Sequence, residues 1–337
     1  MTALLALVPV ACGGGDGKGG DGGKGDGGLP AASAWRPIGQ SPLTPRSANL
    51  VWSGREVLVW GGSTCKANPC NAGVNQEPLG DGAAYDPAAD KWRKLAPSPL
   101  SPRTGSATRW TGKELIVWGG NAGTEQSFSD GAAYNPDTDS WRPLAPSPLS
   151  PRQGSSVWTG KELVVWGGRN ANNEYFSDGA AYDPASDRWR MLPPSPLSER
   201  SLRNGITWTG REVVAWGGGT SNEAFADGAA YDPSTDRWRS LSPSPLSRRI
   251  VSAQVWSGKE VLIWGGSPGT FNNFFADGAA YDPAADRWRP LPSLSGRLSD
   301  GVWTGKDLLI WGGTVPLSGG GRQTPIQSTG EGFRLTA

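Results

Sequence analysis

A unit of about fifty residues returns six times along this chain, which restricts it to folds built by stacking or circling like elements. The copy from Lys161 to Trp189 reads KELVVWGGRNANNEYFSDGAAYDPASDRW. An apolar run ends in a diglycine whose second residue is Gly62, Gly120, Gly168, Gly218, Gly266 and Gly313 in the successive copies. The second half, DGAAYDP or DGAAYNP followed by a tryptophan, begins at Asp81, Asp130, Asp178, Asp227 and Asp277. The apolar runs are of strand length, and no helical or heptad period appears. Each copy reads as four strands. The first alternates and ends at a tryptophan, as in SSVW at Trp158. A tight turn such as TGKE follows, whose glycine takes the positive φ the turn needs. The second strand is the apolar run up to Gly-Gly, where a side chain would obstruct a neighbouring backbone. A loop of variable length leads to the third strand, GAAY, and an Asp-Pro turn leads to the fourth, which starts at the next tryptophan. A proline-rich connection such as LAPSPLSPR enters the following unit.

The 18 tryptophans test this register. Trp52, Trp110, Trp158, Trp208, Trp256 and Trp303 close first strands. Trp60, Trp118, Trp166, Trp216, Trp264 and Trp311 close second strands, and Trp35, Trp92, Trp141, Trp189, Trp238 and Trp288 open fourth strands. Equivalent placement in each unit predicts core between units, against the alternative of a sugar-stacking surface. The ends of the chain then suggest closure. Trp35 belongs to a fourth strand, AWRPI, with no three strands before it. After Gly313 comes a third-strand candidate, EGFRL, with Phe333 where the other units have tyrosine, and no fourth strand follows. Joining the two closes a ring of six and removes an open sheet edge.

The period, the diglycine and the strand pattern resemble the kelch repeat, whose units are propeller blades. The resemblance covers Ala34 to the C-terminus. It implies an all-β, six-bladed kelch β-propeller of four-stranded antiparallel blades over residues 34–337, with the last blade closed by the N-terminal strand.

Ahead of the repeats, residues 1–12 and 13–33 differ in kind. ALLALVPVA ends at Cys12 and is followed by GGGDGKGGDGGKGDGG. This resembles the end of a bacterial lipoprotein signal followed by a flexible tether, implying export to the cell envelope and a lipid anchor on Cys12. No apolar run reaches the roughly 18 residues of a spanning helix, so membrane contact is expected only through that lipid. Cys65 and Cys70 share the loop segment TCKANPC, and export permits a disulfide between them. A zinc site is the poorer reading, since the chain has no histidine. With 32 basic and 31 acidic residues, nothing in the charge balance points to nucleic acid.

The loop after the second strand and the connection after the fourth emerge on one face. Everything that varies between units is there, in segments such as NAGTEQSFS, RNANNEYFS and SPGTFNNFFA. The other face carries short, near-constant turns. Varying loops on a repeating scaffold are the better binding candidates, and these are rich in amides, hydroxyls and aromatic rings. The same face receives Arg46, Arg103, Arg152, Arg200, Arg249 and Arg297, six to eight residues before each first-strand tryptophan. This resembles the kelch domains that adapt ubiquitin ligases, whose arginines before the first strand hold acidic peptide segments. The resemblance implies a ligand role for these arginines toward a protein or glycan, matched best by an anionic one. The alternative is that each arginine pairs with the aspartate opening a third strand and ties blades together.

Enzyme readings fare worse. Galactose oxidase contains a kelch propeller, but its copper needs histidine. A carbohydrate-active enzyme of the sialic acid mutarotase type matches in blade number, yet the usual near-neutral proton carrier is missing. Glu125, Glu174 or Glu223 would have to serve as base. The sequence therefore reads as a monomeric binding scaffold without metal or cofactor.

Overall fold

A computed structural model describes residues 38–65, 76–124, 126–203, 205–251, 253–269, 274–293 and 301–311, with 314–316, 326–328 and 332–336. The described residues form five four-stranded antiparallel sheets and a sixth of three strands. In the third repeat the spatial order is Gln153–Trp158, Leu163–Arg169, Gly179–Asp183 and Arg188–Met191, each strand pairing with its sequence neighbour. The sheets opening with Leu50–Trp52, Ala107–Trp110, Ile206–Trp208 and Ala253–Trp256 follow the same meander. The last sheet holds Gly301–Trp303, Asp307–Trp311 and Gly332–Thr336. First strands of successive sheets touch one another, so the sheets radiate from that edge as propeller blades. Small two-stranded ribbons decorate the loops after the diglycines, for example Ser63–Cys65 with Gln76–Pro78 and Asn121–Ala122 with Gln126–Ser127.

Second and third strands are covered on both faces, which is why their sequences do not alternate. Leu163 to Trp166 and Gly179 to Tyr182 are buried throughout. The alanines of GAAY leave room for tryptophans. Trp118, Trp166, Trp216 and Trp264 are all but inaccessible. Trp60, Trp118, Trp166 and Trp216 each stack at a tilt on the fourth-strand tryptophan of the next blade. Trp118 and Trp189 lie 5.6 Å apart between ring centres, and Trp166 and Trp238 lie 5.9 Å apart. Such pairs add about 0.5–1.5 kcal/mol beyond their burial. The fourth-strand indoles also donate across the blade boundary, Trp141 Nε1 to the Ala96 carbonyl at 2.9 Å and Trp189 Nε1 to that of Ala145 at 3.0 Å. The tryptophans described in detail are thus packing elements.

The same bond reaches the start of the described chain. Trp92 Nε1 donates to the Gly39 carbonyl at 2.8 Å, and Gly39 N donates to Asp90 Oδ1, as Ala96 N does to Asp139 Oδ1. Gly39 therefore stands where Ala96, Ala145, Pro193 and Ser242 stand just after the fourth strands of the first four blades. Trp35 itself, and its expected place beside the last third strand, lie outside the described residues. One expectation is corrected. The ladder sets Phe333 opposite Ile310 and Leu335 opposite Leu308, whereas Ala180 faces Val165 and Tyr182 faces Leu163. Leu335, not Phe333, occupies the tyrosine position, because Gly332 aligns with Gly179 as the strand's first residue.

Candidate functional site

The arginines preceding the first strands define the geometry of the loop face. Arg200 arrives on the connection from the third blade to the fourth. Its backbone belongs to the third: Gly168 N donates to its carbonyl at 2.8 Å, and its own N–H donates to the Phe176 carbonyl at 3.1 Å. Its side chain belongs to the fourth. Nη1 donates to Asp227 Oδ1 at 2.6 Å and to the Gly217 carbonyl at 3.3 Å. Nη2 donates to Asp227 Oδ2 at 3.1 Å and Ser198 Oγ at 2.8 Å, and Nε donates to the Ser198 carbonyl at 3.0 Å. All five N–H groups of the guanidinium are thereby used. Phe225 lies 4.0 Å below the guanidinium carbon, a cation–π contact. Arg200 is wholly inaccessible, while the Asp227 side chain is 56% exposed.

The diglycine is part of this device. A Cβ on Gly167 would lie 2.7 Å from the Arg200 carbonyl, and one on Gly168 would lie 2.1 Å from the Gln153 carbonyl. Both glycines also have positive φ, +62° and +101°.

The other blades repeat it. Arg103 pairs with Asp130 at 2.7 Å over Phe128, Arg152 with Asp178 over Phe176, and Arg249 with Asp277 at 2.7 Å over Phe275. Arg46 pairs with Asp81 at 2.6 Å. Arg297 lies outside the described residues. The guanidinium forks of Arg46, Arg103, Arg152, Arg200 and Arg249 are thus spent within the framework, the blade-tying alternative raised from the sequence. The loop phenylalanines expected to serve ligand stacking lie against those arginines instead. A signal for this was present, since each stands two residues before the aspartate.

A second repeating tie was missed. Arg142 donates from Nε and Nη2 to both oxygens of Glu114 in its own blade, at 3.1 and 2.7 Å, and from Nη1 to the Tyr182 hydroxyl of the next blade at 3.0 Å. Tyr182 in turn donates to Asp187 Oδ1 at 2.6 Å. Glu56–Arg93–Tyr134–Asp139, Glu162–Arg190–Tyr231–Asp236 and Glu212–Arg239–Tyr281–Asp286 copy the relay. Arg289 reaches Glu260, and its side chain is half exposed; the next blade has Leu335 at the tyrosine position and offers no hydroxyl there.

These relays set a pH window for the fold. The tyrosine hydroxyls hold Asp139 and Asp187 below the ordinary carboxylate range. The guanidinium of Arg46 does the same for Asp81, and that of Arg249 for Asp277. Burial pushes Tyr134, Tyr182 and Tyr231 up to about 12. A lowered carboxylate stabilises the fold above its unfolded pKa, and that stability is lost as pH falls through the folded value. A raised tyrosine stabilises below its unfolded pKa of about 10, and the contribution is lost as pH rises toward about 12. Thermal unfolding is expected to show a plateau bounded by a fall below roughly pH 4 and another above roughly pH 10. Replacing Tyr134, Tyr182 and Tyr231 together by Phe should flatten the alkaline limb; an unchanged limb would disprove the assignment.

With the paired arginines turned inward, the loop face presents neutral polar groups, carboxylates and a few exposed cations, Arg169, Arg203 and Arg248, of which Arg169 donates to Asn173 Oδ1 at 2.8 Å. Neighbouring loops are joined, Ala171 N donating to Ser127 Oγ at 2.7 Å and Tyr175 Oη lying 3.3 Å from Ser221 Oγ. Glu174 accepts from Asn170 Nδ2 at 2.6 Å. Neither Glu174 nor Glu223 forms an ion pair with an arginine among the described residues, and Glu125 lies outside them. Described residues contain no cluster of three potential metal ligands. Cys65 is disulfide-bonded; Cys70 and Cys12 lie outside the described residues. On the side of the tight turns, a groove of about 800 Å³ between the fourth and fifth blades is lined by Trp238, Trp256, Arg211, Arg237, Lys259 and Asp282, among others.

The family model for the KLHDC2/KLHL20/DRC7 Kelch-repeats domain matches residues 32–210 and 107–320. The chain belongs to the kelch-repeat family. Among solved structures it is similar to the one titled "Structure of YjhT", at 18% identity and a TM-score of 0.62, covering 89% of this chain and 97% of that one. At that identity the likeness speaks for the fold. In all, 491 chains of solved structures match, so the propeller alone does not select an activity. No curated protein matches the sequence.

Proposed function

We propose that this kelch propeller is a non-catalytic binding scaffold of the cell envelope, held by a lipid on Cys12 and presenting the loop face to a protein or glycan. The observation that carries this reading is the division of labour within the repeat. Arginine, aspartate, phenylalanine and diglycine recur to hold blades together, whereas the rest of each loop between diglycine and aspartate differs in sequence and, for the most part, in length. Residues free to differ on a fixed frame are those available to a ligand. The disulfide at Cys65, which we assign to Cys70, supports an oxidising compartment. The ligand chemistry differs from that expected of an arginine ring: amides, hydroxyls and Tyr175, with Arg169 as an exposed cation beside them, favour a polar ligand. The protein acts as a monomer without nucleic acid.

Fractionation of the full chain tests the anchor, with Cys12→Ser expected to move the protein from membrane to soluble fractions. Retention on immobilised envelope glycan and envelope protein tests the face. Arg169→Ala with Tyr175→Ala should lower retention while leaving the melting temperature unchanged. Retention indifferent to loop variants but lost on substitution of Arg237 and Lys259 would transfer the binding face to the tight-turn side.

A further inference from the structure

A repeat protein contains its own alignment, so a residue that breaks the pattern at a framework position stands out. The residue before the first-strand tryptophan is Val51, Val157, Thr207, Val255 and Val302 in five blades, and Arg109 in the second. This position is in the wall around the propeller axis. First strands form the inner edge of each blade and have a sheet partner on one side only. In the second blade the ladder pairs Thr108 with Val117 and Arg109 with Ile116, and the Thr111 to Glu114 turn bond fixes which pairs are hydrogen-bonded. Counting back from that turn puts the Thr108 carbonyl on the unpaired, axial side. The same count from the Thr159 to Glu162 bond puts the Ser156 carbonyl there too. Arg109 spans these two carbonyls, donating from Nη1 to Thr108 O at 2.8 Å and from Nη2 to Ser156 O at 2.6 Å.

Two of its five N–H groups are thus used, both on neutral acceptors, and no carboxylate pairs with it among the described residues. Burial presses its pKa down to about 10. Valine, as in the sister blades, would avoid the cost of placing an uncompensated cation there. A framework arginine such as Arg200 is satisfied at all five donors, so Arg109 is not another tie of that kind.

We propose that Arg109 is the anchoring cation of an anion site in the axial channel, taking a small oxyanion, a carboxylate foremost. The guanidinium is preset by the two carbonyls, and its remaining N–H groups supply charge-assisted bonds to the anion. Arg109 stands next to Trp110 at the turn end of its strand, so the site belongs to the mouth opposite the variable loops. It does not depend on the loop-face reading.

Thermal unfolding and calorimetric titration of the full chain test this with acetate, succinate and inorganic phosphate as probes, against sodium chloride at equal ionic strength. Wild-type protein should gain several degrees with succinate or acetate. Arg109→Val should gain none and should melt no lower than wild type in chloride alone, because it restores the residue of the sister blades. Arg109→Gln, which keeps a donor to the carbonyls, should bind the probe roughly ten- to a hundredfold more weakly. A response to phosphate alone would assign the site to phosphoryl groups in place of carboxylates. Absence of any response in wild type, or an equal response in Arg109→Val, would overturn the proposal and leave Arg109 as a strap between two strands.

Discussion

Arg200→Ala is expected to destabilise the propeller by about 3 kcal/mol while leaving ligand retention on the loop face intact. Removing one member of a buried ion pair typically costs ~3–5 kcal/mol. The lower end applies because Asp227, left behind, is 56% exposed and can be rehydrated. The remainder comes from the Gly217 and Ser198 carbonyls, which lose a donor, and from Phe225, which loses its cation. In a chain of this size the melting temperature should fall by roughly 5–10 °C. The effect should recur at Arg103, Arg152 and Arg249, each wholly inaccessible and paired in the same manner. A fall in retention with an unchanged melting temperature would return these arginines to the role of ligand contacts.

How far the sequence reveals this molecule depends on whether a feature repeats. Strand order, tight turns and tryptophan burial could be read because six copies average out local ambiguity; no single apolar run such as LVVW distinguishes a strand from a buried helix segment. The arginine series was equally visible, but repetition does not say whether a cation points outward or is spent on its neighbour. That answer needed the partner's register, Asp227 at the head of the third strand and Phe225 two residues before it. The Glu114–Arg142–Tyr182–Asp187 relay repeats just as strictly and passed unnoticed, because its members lie up to 73 residues apart and meet only when one fourth strand leans on the next blade. Arg109 was hidden for the opposite reason. It occurs once, and only the axial direction of the Thr108 and Ser156 carbonyls gives that departure a meaning.

Deletion of residues 34–38 is expected to have the larger effect, opening the ring. In each described blade boundary from the second to the fifth, the indole of a fourth strand donates to a carbonyl just beyond the fourth strand of the blade before. At the first blade the acceptor is Gly39, which makes the segment preceding Gly39 the expected fourth strand of a blade that comes before the first. In a closed propeller that blade is the last, whose described sheet ends at Gly332–Thr336. On that expectation the deletion removes Trp35 and an edge-covering strand together. The loss should exceed the ~3–5 kcal/mol of a single core tryptophan and leave an unpaired edge that promotes self-association. Deletion of residues 1–33, which contain none of the repeat, should leave both melting temperature and solution mass per chain unchanged. Thermal unfolding with light scattering separates the outcomes. If loss of residues 34–38 proves as harmless as loss of 1–33, the ring is closed by another segment and the equivalence of Gly39 to Ala96 is only local.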